Sequence, residues 1–236
     1  MSRLIRLLAS DRRQLAVVAS LVFASFVCLL LLLARALYAG HLSNYGLAWN
    51  LLLAWMPMMS ALIVYNLSKT RRRAAWLLIL PCLAFWLLFF PNAPYILTDI
   101  LHLRQRPGVP LWYDLILLIA FAWTGTFLGL VSLYLMQGLV QRLAGARTGW
   151  LFTLGVLAAG GFGVYLGRFP RYNSWDALLN PATLAYDVLF HIRHPLANPR
   201  IIVFSGLFSL CLTAMYLMLV AVIHLRPETQ EGDTRS

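Results

Sequence analysis

The sequence predicts an all-α membrane protein, a bundle of about six transmembrane helices with two short amphipathic helices in the outer loops. Three observations carry that prediction. The 236 residues are 61% hydrophobic and 11% charged, whereas soluble domains carry about 25% charged residues and are under half apolar. Six stretches are apolar for long enough to cross a hydrocarbon core of roughly 30 Å, which takes about 20 helical residues. Polar residues return at helical spacing after the third stretch and again before the sixth.

In chain order, the six stretches are Leu15 to Leu33, Gly46 to Leu67, Ala74 to Phe90, Leu115 to Met136, Trp150 to Gly167, and Ile201 to Leu225. None contains Lys, Arg, Asp or Glu; Arg35, Arg168 and Arg226 stand just beyond an end. Arg3, Arg6, Arg12 and Arg13 precede the first, as in a signal peptide. Its apolar run exceeds the roughly 7 to 15 residues of a signal core, however, and Arg35 sits badly in a cleavage site, so it reads as an uncleaved helix. Residues 1–225 form a single polytopic domain, and the polar tail 226–236 reads as disordered. Cys28, Cys82 and Cys211 fall in three different apolar stretches with no CxxC spacing, as small buried hydrophobes do.

The net charge of +11 would suggest nucleic acid in a soluble chain, but these basic residues cluster at helix ends, where anionic lipid and topology account for them. No nucleic-acid partner is needed. Twelve of the 19 lie in the N-terminal arm, in 69–73, at Arg142 and Arg147, and in the tail; seven lie in the alternate loops. The positive-inside rule then puts both termini in the cytoplasm. Apart from the arm and tail, the acidic residues are Asp99, Asp114, Asp176 and Asp187, all on the outer side. His41, His102, His191 and His194 are there too, while the basic loops hold no phosphate-binding motif. Chemistry, if present, faces outward.

The stretch FFPNAPYILTDILHL ends an apolar run at Pro91. Asn92 suits an N-cap and Pro94 a first turn. A short helix from about Ala93 to Arg104 would align Tyr95, Thr98, Asp99, His102 and Arg106, with Ile96, Leu97, Ile100, Leu101 and Leu103 opposite. Asn180-Pro181 repeats the plan, followed by Thr183, Asp187, His191 and His194 at steps of four, four and three. Both helices are too short to span. One reading lays them flat on the outer leaflet with their polar faces in water. The other turns those faces together into a cluster of Asp99, His102, Asp187 and His191, suited to a divalent metal or to acid–base catalysis.

YLGRFPRYNSWD leaves the fifth helix with Arg168 and Arg171, then adds Asn173, Ser174, Trp175 and Asp176. It reads either as a boundary anchor, with snorkelling arginines and Trp175 in the aromatic belt, or as part of a site. In the second reading Arg168 partners Asp99 or Asp114, or grips a phosphate or carboxylate, and Asn92, Tyr95, Arg171, Asn173 and Asp176 complete the substrate-binding set. Asp114 sits in the first turn of the fourth helix, where the helix dipole alone explains it. Asn50 and Asn66 read as bonds between helices. Gly125 and Gly129 in the fourth helix, with Gly155, Ala159, Gly163 and Gly167 in the fifth, recur at four-residue steps, and the expectation is that these two helices pack tightly on each other. Pro57 and Pro81 would bend the second and third helices.

At these two motifs the sequence resembles a bacterial family of uncharacterised multi-pass membrane proteins, defined only as a domain of unknown function, over roughly Ala74 to Leu225. The resemblance implies an integral protein of the bacterial inner membrane and carries over no catalytic residue. Three functions compete. One is an enzyme acting at the outer leaflet on a lipid-linked or envelope substrate. Another is a non-catalytic subunit or assembly factor binding a protein partner. The third, a small transporter, is disfavoured because no ionisable residue falls near the bilayer midplane. The topology itself is open to a direct check: alkaline-phosphatase fusions at 105–107 and 195–198 should be active and fusions at 70–73 and after 226 inactive, with the reverse pattern overturning the orientation.

Overall fold

The structure, a computed structural model, describes residues 3–41, 44–69, 75–104, 108–172, 174–179, 182–183, 186, 188–190 and 199–225. Its regular elements are α1 (Arg3–Ala39), α2 (Tyr45–Lys69), α3 (Ala75–Phe89), α4 (Asn92–Tyr95), a 3-10 helix (Ile96–His102), α5 (Leu111–Ala144), α6 (Ala146–Arg168), α7 (Asp176–Leu179) and α8 (Pro199–His224). Among the described residues, six stretches are long and apolar enough to cross a membrane, the number the sequence predicts. One boundary differs. The third stretch does not end at Phe90 but continues through the Pro91 break as Trp76–Leu101.

The centre of the bundle is α5. Of the residues in its most apolar stretch 61% are buried, against 11% in α8, so the bundle is built around α5 and α8 stands at its edge. On α5 pack α1, α2, α6 and the segment formed by α4 and the 3-10 helix, while α3 lies on α2 and α8 on α6. One core gathers Leu117, Phe121 and Leu128 of α5 around Ala54 and Met58 of α2, and another joins Trp86, Phe90, Leu133 and Tyr216. The remaining large apolar side chains, such as Phe23, Leu77, Leu151 and Leu210, are exposed around the outside, as helices solvated by lipid tails require. The turn from α5 to α6 is a single residue. Gly145 adopts φ 91° and ψ 165° there, a conformation essentially reserved for glycine.

The small-residue stripes serve a purpose other than the expected one. Those of α5 and α6 do not chiefly mate with each other; both open onto the broken segment between α3 and the 3-10 helix. A Cβ on Gly125 would lie 2.9 Å from the Ala93 carbonyl oxygen and 2.5 Å from Ile96 Cδ1, and one on Gly129 would lie 2.9 Å from Ala93 Cβ. From the α6 side, a Cβ on Gly160 would lie 2.9 Å from the Phe90 ring, one on Gly163 2.6 Å from Pro91 Cγ, and one on Gly167 3.2 Å from the Tyr95 ring. Residues 90–96 are thus wedged between two helices whose glycines make the room. Gly155, by contrast, faces open space.

The first helix is tied on by polar bonds. Arg35 lies inside α1 and is only 1% exposed, and its guanidinium grips Asp114 of α5 with two parallel bonds, Nε to Oδ1 at 2.5 Å and Nη2 to Oδ2 at 3.0 Å. Asp114 does occupy the first turn of α5, but it is the counter-charge of a buried arginine and not merely a dipole complement. Around this pair the Tyr113 hydroxyl donates to the Leu31 carbonyl at 2.8 Å, Cys28 Sγ lies 3.4 Å from Thr124 Oγ1, and Trp55 Nε1 of α2 donates to Ser25 Oγ at 3.0 Å.

Two outcomes follow from this packing. Gly125→Ala should lower stability by about 1–3 kcal/mol, because the added methyl meets backbone at Ala93, whereas Gly155→Ala should be neutral or stabilising by about 0.5–1 kcal/mol; thermal unfolding in detergent separates the two. Asp114→Leu alone should cost about 3–5 kcal/mol by leaving Arg35 buried without its counter-charge, and Arg35→Met combined with Asp114→Leu should recover most of that loss.

Candidate functional site

The broken segment brings a carboxylate into the bundle. α3 ends at Phe89, the chain makes one α-turn from Asn92 to Tyr95, and it then tightens into the 3-10 helix, not the single α-helix from Ala93 to Arg104 that spacing suggested. The capping position is Pro91, with no side-chain cap bond. Asn92 is therefore not an N-cap acceptor. Its amide instead donates to the Phe89 carbonyl at 3.2 Å and to Ser174 Oγ at 2.8 Å. The Thr98 hydroxyl donates to the Tyr95 carbonyl at 2.7 Å.

Thr98 and Asp99 are buried, whereas Leu101 is 67% exposed. The polar face of this segment therefore looks inward and an apolar residue looks out, the opposite of a helix lying flat on a leaflet. Asp99 there meets two other helices. Asn50 Nδ2 of α2 donates to Oδ2 at 2.8 Å, and Arg168 Nη1 at the end of α6 stands 3.9 Å from Oδ1. That distance is an ion pair without a close hydrogen bond. Of the two partners considered for Arg168, Asp99 is the one it faces; the other, Asp114, is held by Arg35.

The loop after α6 closes over this group. Arg171 takes a left-handed backbone with φ 66°, which is uncommon for a residue with a side chain, and the Tyr172 amide then donates back to the Leu166 carbonyl at 3.1 Å. The reversal sets Ser174 under Asn92, where its hydroxyl also reaches the Leu88 carbonyl at 3.2 Å. Trp175 packs edge-on against Phe89, 4.9 Å between centroids, so it is more than a lipid-facing anchor. Asp176 opens the four-residue α7.

Two cavities meet at Asn50. One, of 520 Å³, is lined by Asn50, Asp99, Asp114, Arg104 and Arg171 among others, and so is charged. The second, of 530 Å³, has walls of Trp49, Leu53, Leu87 and Leu166, with Asn92, Tyr95 and Ser174 as its polar groups. Both sizes fall in the range of about 300–1,000 Å³ usual for small-molecule sites.

Of the residues expected to form the site, Asn92, Tyr95, Asp99, Arg168 and Arg171 converge here. Asn173, Asp187, His191, His194 and the Asn180-Pro181 restart lie outside the described residues, as does the side chain of His102. The expected meeting of the two outer helix faces is thus untested, and among the described residues no three His, Cys, Asp or Glu side chains gather as metal ligands. The sequence reading passed over three residues. Asn50 was assigned to helix contacts alone, Ser174 was given no role, and Arg35 was placed beyond a helix end. A signal for Arg35 exists in the sequence: it is an outer-side arginine running against the charge bias.

Comparison with known proteins gives a family and no reaction. No curated protein and no solved structure matches the chain. A family described as "Protein of unknown function (DUF1361)" matches residues 49–225, which takes in the broken segment, Asn50 and Arg168. The chain therefore belongs to this family of proteins of unknown function.

Proposed function

We propose that the Asp99 end of the bundle binds and acts on an anionic, lipid-linked substrate at the outer leaflet of the bacterial inner membrane. The observation that carries this reading is the pair of adjoining cavities, one charged and one apolar, that share Asn50 as a wall. An amphiphile needs that combination. Its chain lies between Trp49, Leu53 and Leu87, and its head reaches Arg104, Arg171, Asn50 and Asp99, with Arg168 3.9 Å from the Asp99 carboxylate.

Each polar residue has a role that its chemistry suits. The Arg168 guanidinium is a planar fork for a phosphate or carboxylate. Asp99, held from two sides, offers a fixed oxygen to a hydroxyl, an amine or a bound divalent cation. Asn50 keeps that carboxylate oriented. Tyr95 and Asn92 line the passage between chain and head. The competing view, a subunit that docks another protein through its aromatic outer loops, loses support because Trp175 is committed to Phe89 within the chain.

The reading is tested with purified protein in lipid nanodiscs. Native mass spectrometry should show a long-chain polyprenyl phosphate retained at least tenfold over the corresponding polyprenol, and Arg168→Gln should erase the preference while Arg168→Lys keeps part of it. In cells lacking the gene, Asp99→Asn should fail to restore function at unchanged protein level. Equal retention of phosphate and alcohol, or full complementation by both Asp99→Asn and Arg168→Gln, would sink the proposal.

A further inference from the structure

At the opposite end of the bundle, where α2 and α8 finish and α6 begins, a separate cavity of 320 Å³ is lined by Tyr65, Tyr134, Gln137, Gln141, Arg142 and His224 among others. It shares no residue with the cavities around Asp99.

Its floor carries an unsatisfied donor. Gln137 is only 3% exposed, its Oε1 accepts a bond of 2.6 Å from the Tyr216 hydroxyl, and its Nε2 has no hydrogen-bond partner. Tyr216 is itself fully buried and packed edge-on to Trp150, 6.3 Å between centroids, so the amide is held with its N–H groups turned away from Tyr216. A buried amide donor without a partner costs about 1–3 kcal/mol, and within a membrane there is no bulk water to relieve it. The cavity supplies a place for the missing acceptor.

The surroundings say what kind of acceptor belongs there. Arg142 donates to the Gly138 carbonyl at 3.1 Å and lies 5.0 Å above the Tyr65 ring, which Lys69 approaches at 4.6 Å. Two cations are thus held over one aromatic ring, Tyr65, which together with Arg142 lines the cavity. Among the described residues no carboxylate lines the cavity. A group with several acceptor oxygens and negative charge meets amide and guanidinium donors here, with tyrosine hydroxyls nearby. We propose that this cavity binds a phosphate group, with Gln137 Nε2 as the buried donor and Arg142 as the counter-charge. Its position at a helix boundary among Tyr65, Tyr134 and Trp150, the residues that populate membrane interfaces, points to a phospholipid headgroup as the source.

The test is the thermal shift of delipidated protein on adding lipid, since a ligand specific to the folded state raises stability with concentration. It is run in the wild type and in Arg168→Gln, so that the Asp99 site does not contribute. Phosphatidylglycerol should stabilise both, diacylglycerol neither. Gln137→Leu, and independently Gln137→Glu should the first fold poorly, should weaken the response at least tenfold in lipid concentration. Because Gln137→Leu also strips the buried Tyr216 hydroxyl of its acceptor, the readout is the lipid-dependent increment and not the stability before lipid is added. A response to glycerol 3-phosphate equal to that of the lipid supports the phosphate site but moves its source to the soluble pool. An equal shift with diacylglycerol, no shift with any probe, or an undiminished shift in both Gln137 variants overturns the proposal.

Discussion

Everything at the Asp99 end depends on a break in an apolar helical stretch long enough to cross a membrane. Interrupting a helix in hydrocarbon frees backbone donors and acceptors at a cost of several kcal/mol each unless they are paired again. Two features limit that cost here. Pro91 and Pro94 have no N–H to strand. The remaining groups find partners locally: Ala93 N–H to Phe90 O at 3.2 Å, Tyr95 N–H to Pro91 O at 3.0 Å, and the Asn92 and Thr98 side chains on the Phe89 and Tyr95 carbonyls. Pairing alone would not seat the segment. That takes the glycines of α5 and α6, which let residues 90–96 approach to backbone contact and so carry Asp99 inward to Asn50 and Arg168.

Two carboxylates enter the bundle at this end, and each meets an arginine. Arg168 stands in the last turn of α6, where the helix dipole favours positive charge, and Asp114 in the first turn of α5, where it favours negative charge, whereas Arg35 stands before the last turn of α1. The two pairs differ in tightness. Arg35 and Asp114 form a two-pronged bond almost wholly shielded, whereas Arg168 and Asp99 stand 3.9 Å apart beside a cavity. The first pair fastens one helix to another, and the second is looser and borders the cavity through Asp99.

Class and helix count were legible in the sequence because hydropathy is a sum over about 20 residues and is indifferent to detail. Orientation of the 92–102 segment was not. Helical spacing correctly put Tyr95, Thr98, Asp99 and His102 together, yet it could not tell water from protein as the medium on their side. What decided it was Gly125, Gly129, Gly163 and Gly167, residues that the sequence reading recognised as a close-packing signal but paired with each other. A stripe of small residues announces that a backbone comes near; it does not say whose. The ion pair of Arg35 with Asp114 was hidden for a related reason, since 79 residues separate the partners and each had a local explanation. Asn50 likewise looked like a helix-to-helix bond, which it is, but to the carboxylate of the site.

The two ends of the bundle differ in a way that bears on what each accepts. Around the charged cavity, Arg104 and Arg171 share the lining with Asp99 and Asp114, so an anion entering there meets repulsion as well as attraction. Binding is then favourable only for a ligand whose negative group sits with the arginines while a hydroxyl, amine or cation faces the carboxylates. That is a demand for a particular arrangement of groups, which is how a site discriminates. The cavity beside Gln137 makes no such demand. Among the described residues it offers donors and a cation with no carboxylate in its lining, so the proposed phosphate needs only a suitable size. On the two proposals, selection falls to the Asp99 end and retention to the Gln137 end.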